Sequence, residues 1–107
     1  MTSSNAPVID EAVRRLVDAS HPVKVILFGS HARGDSTDDS DLDFVVIVPN
    51  VRDRFVEMVR LNRALASLRI PVDVLVYSTK EVEERGELPG TALREALTEG
   101  KVLYGAP

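Results

Sequence analysis

The chain has 107 residues, 44% of them apolar and 28% charged, which suits one compact domain and is too short for two. It contains no cysteine, so disulfides, thiolate nucleophiles and Cys-based zinc sites are excluded together. A formal net charge of −4 argues against general nucleic-acid binding, which needs cationic surface to displace counterions from phosphates, but a nucleotide substrate stays open because bound metal ions can supply the positive charge.

No apolar run approaches the ~18–20 residues that cross a bilayer. The opening Met1-Thr2-Ser3-Ser4-Asn5-Ala6-Pro7 lacks the cationic start and apolar centre of a secretory signal. A cytoplasmic protein without membrane attachment is expected.

Residues 1–7 read as a flexible arm. From Val8, the positions Val8, Ile9, Ala12, Val13, Leu16 and Val17 recur at helical spacing, and His21-Pro22 ends that helix because proline disfavours helix in the residue before it. Residues 23–28 are rich in β-branched side chains and predict a buried strand. Gly29-Ser30 breaks it, and His31-Ala32-Arg33 predicts one helical turn. Residues 34–40 are polar and form a loop. Residues 42–48 predict a second strand, stopped by Pro49-Asn50.

Residues 52–69 read as the longest helix, with Phe55, Met58, Leu61, Leu65 and Leu68 facing inward and Arg52, Arg60, Arg63 and Arg69 facing solvent. Pro71 leads into a third strand over 72–77. A short helix follows from about Thr79, then a loop carrying Gly86, Pro89 and Gly90, a helix over 91–98 and a small closing strand over 101–104. The order predicts an α/β (α+β) fold, one small mixed sheet with flanking helices, spanning 1–107 as a single domain.

Chemistry concentrates between Phe28 and Asp43. In a strand that begins near Asp41, Asp41 and Asp43 point the same way, since residues i and i+2 share a face. In the third strand Asp73 alternates with Leu75 and Tyr77, opposite Val72, Val74 and Val76. Three carboxylates therefore converge if the two strands are neighbours. Nothing obvious in the sequence neutralises them, and close anions resist joint ionisation. Divalent cations resolve the conflict, because oxygen-only ligands suit hard ions such as Mg2+, with Mn2+ as the alternative. Two such ions about 3.5–4 Å apart can activate an attacking oxygen and stabilise a leaving one. Gly29 permits close backbone approach, and Ser30 adds a hydroxyl beside amides that favour phosphate.

Gly29-Ser30, ten residues, then Asp41-x-Asp43 resembles the signature of the DNA polymerase beta-type nucleotidyltransferase superfamily. The intervening Ala32-Arg33-Gly34-Asp35 and Ser40-Asp41-Leu42-Asp43-Phe44 resemble its minimal nucleotidyltransferase (MNT) branch, over nearly the whole chain. The resemblance implies a nucleotidyltransferase-like fold and ATP as substrate with two Mg2+. It implies that Asp41 and Asp43 bind both metals. Asp73 would bind the catalytic one and is placed to take the acceptor's proton. Gly29 and Ser30 would hold the terminal phosphates. Arg33 is open between a phosphate ligand and a solvated helix residue. His31 departs from the longer basic or aromatic residue common there.

Without the upstream signature Asp73 would read as a solvent-facing strand residue, and Asp35, Asp38 and Asp39 read as loop-solubilising. The Asp39-x-Asp41-x-Asp43 spacing is no EF-hand, since Phe44 and Asn50 stand where that loop requires glycine and glutamate. His21 and His31 lack companions at transition-metal spacing. Tyr77 and Tyr104 are expected to pack with their hydroxyls at an edge.

MNT domains resemble antitoxins paired with HEPN-domain RNase toxins, which implies transfer of AMP to a tyrosine of a cognate HEPN toxin. Two alternatives remain: a nucleotidyltransferase acting on a small molecule such as an aminoglycoside, and a non-catalytic module that neutralises its partner by occlusion.

Overall fold

A computed structural model describes residues 6–36, 40–68 and 70–105, so residues 1–5 of the expected arm, Asp38, Asp39 and Arg69 lie outside the described residues. Helix α1 (Ala6–Ser20) begins two residues earlier than the sequence suggests. Pro7 sits in its first turn, where the missing N–H costs nothing because no intrahelical acceptor exists there. Ala12 and Leu16 are its fully buried contacts.

The remaining elements are strand β1 (Lys24–Phe28), the one-turn helix α2 (Ser30–Arg33), strand β2 (Leu42–Val48), helix α3 (Arg54–Ala64), strand β3 (Val72–Ser78), helices α4 (Thr79–Arg85) and α5 (Ala92–Glu99), and strand β4 (Lys101–Tyr104). The sheet runs β3-β2-β1-β4. β2 pairs antiparallel with β1 and parallel with β3, whose crossover is α3. β4 closes the other edge, antiparallel to β1. The sheet is mixed, as the element order implies.

Alternation within the strands divides the core in two. Val25, Leu27, Leu42, Phe44, Val46, Val74 and Val76 pack against α1 and α3. Ile26, Phe28, Val45, Ile47, Leu75 and Tyr77 pack against Leu93 and Ala96 of α5 and Val82 of α4. β2 is buried on both faces, which explains its near-continuous apolar run.

Two expectations about the arginine-rich helix need correction. α3 spans 11 residues against 15 for α1, so it is not the longest. Asp53 caps it, accepting from the Val56 N–H at 3.1 Å. Beyond Ala64 the chain tightens into turns, with Leu65, Ala66 and Leu68 donating three residues back, so the helix ends short of the expected extent. Phe55 does not face inward; it is 75% exposed. The row on the sheet side is Arg54, Met58, Leu61 and Leu65. Arg54 holds the first slot by donating to the Val76 carbonyl at 3.1 Å, lying 5.7 Å over the Tyr77 ring and pairing with Glu81. The guanidinium finds partners through Nε and one Nη at the sheet end, and the neighbouring aromatic turns outward.

This arrangement makes a sharp stability contrast. Leu61→Ala empties a fully buried site and should cost about 2–5 kcal/mol. Phe55→Ala, on the same helix, should stay within about 0.5 kcal/mol of wild type. Urea denaturation of the two variants checks this.

Candidate active site

β1 delivers the chain to the site and Gly29 turns it. Gly29 has φ +78°, ψ −156°, and a Cβ built there would stand 2.7 Å from Oδ2 of Asp43. A side chain at 29 is therefore blocked twice, by backbone conformation and by the carboxylate. The sequence suggested that glycine makes room for phosphates; the first atom it makes room for belongs to the protein. Ala32 and Arg33 donate back to the Gly29 carbonyl, and Gly34, in the left-handed conformation, closes the turn by donating to the Ser30 carbonyl. The Ser30 hydroxyl has no partner among the described residues.

His31 Nε2 lies 3.2 Å from the Ser40 carbonyl, an acceptor only, so the ring nitrogen is the donor. This bond joins the two ends of the 34–40 loop immediately before Asp41. The departure at position 31 thus has a structural use.

β2 and β3 place the carboxylates. Their parallel register sets Asp43 directly beside Asp73 and Leu42 beside Val72. Phe28, the last residue of β1, pairs with Asp43 from the other side. Alternation puts Asp43 and Asp73 on the face shared with Val45 and Leu75, toward α4 and α5. Asp41 and Asp73 are exposed, while Asp43 is half-buried. Burial pushes the Asp43 carboxyl above the ordinary range, and the charges of Asp73, Asp41 and Glu95 push it further; among the described residues His31 works against them.

Glu95 is a member that sequence reasoning missed. It comes from α5, where the apolar pattern places Leu93 and Ala96 on the sheet but says nothing of which strand end their neighbour approaches. A cleft of about 540 Å3 runs along the same helix, lined by Gly90, Thr91, Arg94, Glu95 and Thr98. Arg33, undecided in the sequence, is exposed and points its guanidinium at Glu95 and Asp35, both at 3.3 Å. It is not among the groups that ease the charge on Asp43.

The donor chemistry fits hard divalent cations: every side chain around Asp43 that acts on its charge, His31 apart, offers carboxylate oxygen only. Among the described residues no three His, Cys, Asp or Glu side chains are gathered closely enough to cage an ion by themselves. Magnesium commonly takes one or two carboxylates and completes its shell from water and substrate phosphate, which two exposed aspartates flanking a half-buried one would permit.

A nucleotidyltransferase domain model matches residues 8–103, and the chain belongs to that family of nucleotide-transferring enzymes. Among individual relatives, it is 31% identical over 81 residues to the "Putative protein adenylyltransferase MJ0604" of Methanocaldococcus jannaschii, covering 76% of this chain and 77% of that one. Its fold is similar to that of a solved nucleotidyltransferase from Sulfolobus solfataricus (TM-score 0.64, 22% identity, 92% of this chain and 78% of that one). It is also similar to a chain of the solved toxin–antitoxin MntA-HpeT (TM-score 0.61, 26% identity, 97% and 75%). Among the described residues no helix is long and apolar enough to cross a membrane.

The raised carboxyl of Asp43 sets the sign of a pH effect. The folded protein holds that proton more tightly than the unfolded chain, so this group's contribution to stability is fully present below the unfolded value near ~4 and is lost as pH rises through the folded value. In chelator at pH 7, Asp43→Asn should therefore melt higher than wild type, and the advantage should vanish below pH ~4. Thermal melts across that range test it. Gly29→Ala forces a Cβ against Asp43 and should lower stability by at least about 1 kcal/mol, with nucleotide transfer lost. A Gly29→Ala enzyme with wild-type melting and turnover would show that the contact with Asp43 is immaterial.

Proposed function

We propose that this nucleotidyltransferase transfers AMP from ATP to a tyrosine hydroxyl of a cognate HEPN-domain toxin, acting in the cytoplasm as the antitoxin of a toxin–antitoxin pair. The observation that carries the reading is the in-register pairing of Asp43 with Asp73 beside the Gly29-Ser30 turn. Similarity to a protein adenylyltransferase and to a toxin–antitoxin chain supports the nucleotide and the kind of partner.

In this mechanism the acceptor oxygen attacks the α-phosphorus of ATP. The bond from that phosphorus to the bridging oxygen breaks, and pyrophosphate leaves. Asp41, Asp43 and Asp73 would hold two Mg2+, or Mn2+, which supply positive charge to the triphosphate and acidify the attacking hydroxyl. Asp73, exposed at the start of β3, would take the hydroxyl proton, the work of a general base. The Ser30 hydroxyl, without a partner among the described residues, would donate to a terminal phosphate oxygen, beside the Gly29 backbone in a turn that only a residue without a Cβ can make. Arg33 would join them by exchanging Glu95 and Asp35 for phosphate, a stronger anionic partner.

Covalent transfer and occlusion differ in what survives separation. After incubation with ATP and Mg2+, the partner toxin should gain the mass of one or more AMP units, located on tyrosine, and should stay silent once the two proteins are separated. Asp73→Asn should slow the transfer by at least about 100-fold, the lower end of what a positioned general base contributes. Intact-mass spectrometry of the toxin reads both results. Equal silencing by wild type and Asp73→Asn with no mass change would replace transfer by occlusion.

A further inference from the structure

The outer face of α3 carries an apolar ridge left exposed among the described residues. Phe55 and Val59 are one turn apart and are 75% and 36% exposed, with Val56 beside them at 54%. Arg63 continues the same row one turn later. Shallow hollows of about 360 and 400 Å3 flank this row on either side, both lined by Phe55, Val59 and Arg63. Scattered exposed apolar residues are ordinary, but a contiguous aromatic and aliphatic ridge between two hollows has the shape of a contact surface.

The charge pattern says what would cover it. Arg14, Arg15, Arg33, Arg54 and Arg60 each pair with a carboxylate of their own chain. Arg63, at the end of the ridge, and Arg52, just ahead of α3, have no carboxylate partner among the described residues; Arg85 and Arg94 lack one too, but they stand on α4 and α5, which cover the other face of the sheet. Over residues 52–63, Arg52, Arg54, Arg60 and Arg63 outnumber Asp53 and Glu57 by two, in a chain whose formal net charge is −4. Phenylalanine and arginine side by side, with the arginine charge unspent, are the residue types that anchor protein interfaces.

We infer that the Phe55–Val59–Arg63 ridge docks into an apolar groove of a partner protein whose rim carries carboxylates facing Arg63 and Arg52. A second copy of this chain fits poorly, because a two-fold contact would set the basic ridge against itself. Nucleic acid fits poorly too, since the centre of the ridge is apolar and the protein as a whole is anionic. The ridge lies on the α1–α3 side of the sheet, whereas Asp43 and Asp73 face α4 and α5. Docking is therefore separable from nucleotide transfer, and the inference stands apart from the identity of the acceptor.

The test places the photo-crosslinking residue p-benzoylphenylalanine at position 59 of the full chain in its native host, identifies the captured protein, and purifies it. Calorimetry then compares its binding to wild type, Phe55→Ser and Arg63→Glu. The expected result is an acidic-surfaced protein that Phe55→Ser binds at least ~30-fold more weakly and Arg63→Glu about tenfold more weakly. Changing the partner's facing carboxylate to lysine should restore the Arg63→Glu variant. Both variants should melt with wild type, since neither side chain is buried, and both should keep wild-type ATP binding, which distinguishes a failed docking surface from a failed catalytic site. Crosslinking to a second copy or to nothing overturns the inference, as does a captured protein that binds all three forms equally.

Discussion

Asp43 and Asp73 stand side by side on adjacent parallel strands, and the rest of the site is arranged around that repulsion. Asp43 is half-buried, flanked by Phe28 on β1 and Asp73 on β3, and exposed to the field of Asp41 and Glu95. The energy that holds these groups together comes from elsewhere in the same strands. Phe44, Val45 and Val46 follow Asp43 and are fully buried, as are Val74 and Val76 beyond Asp73. Apolar burial thus fixes a register that local electrostatics opposes. A protein organised for stability alone would have no reason to place two anions at that position.

The neighbours of Asp43 follow from it. Residue 29 must lack a Cβ because Asp43 occupies the space one would take. His31 ties the loop ends together and, among the described residues, is the group that relieves the charge. Arg33 belongs to the same short turn yet spends its donors on Asp35 and Glu95, and among the described residues no guanidinium pairs with Asp41, Asp43 or Asp73. A permanently bound arginine would neutralise the cluster and compete with metal and triphosphate for it.

The two faces of the sheet divide the molecule's work. α1 and α3 cover one face, and Arg15 and Arg60 bind the two helices together by donating to the carbonyls of Ala64 and Ala19. α4 and α5 cover the other, where the carboxylates, Glu95 and the cleft along α5 lie. The exposed ridge of α3 is thus presented on the layer opposite the carboxylates. Chemistry and recognition can change independently in such an arrangement.

Several features were determined by the sequence alone. The alternation of β3 was legible at Asp73, Leu75 and Tyr77, and the apolar run of β2 at 42–48, because side-chain period is a property of a few consecutive residues. The Gly29-Ser30 to Asp41-x-Asp43 spacing carried the family for the same reason, being local and covalent. The outward turn of Phe55 was not legible. Apolar spacing counts Phe55 as core, and only the carbonyl of Val76 and the ring of Tyr77, more than twenty positions along the chain, explain why Arg54 holds the slot on the sheet side. Nor could spacing show that Glu95 reaches the field of Asp43, that Arg33 is engaged by it, or that β4 lies beside β1. Which groups meet across strands and helices depends on packing between distant segments. A carboxylate's neighbours are decided by the pairing of strands 30 positions apart, and that pairing exists only once the sheet has formed.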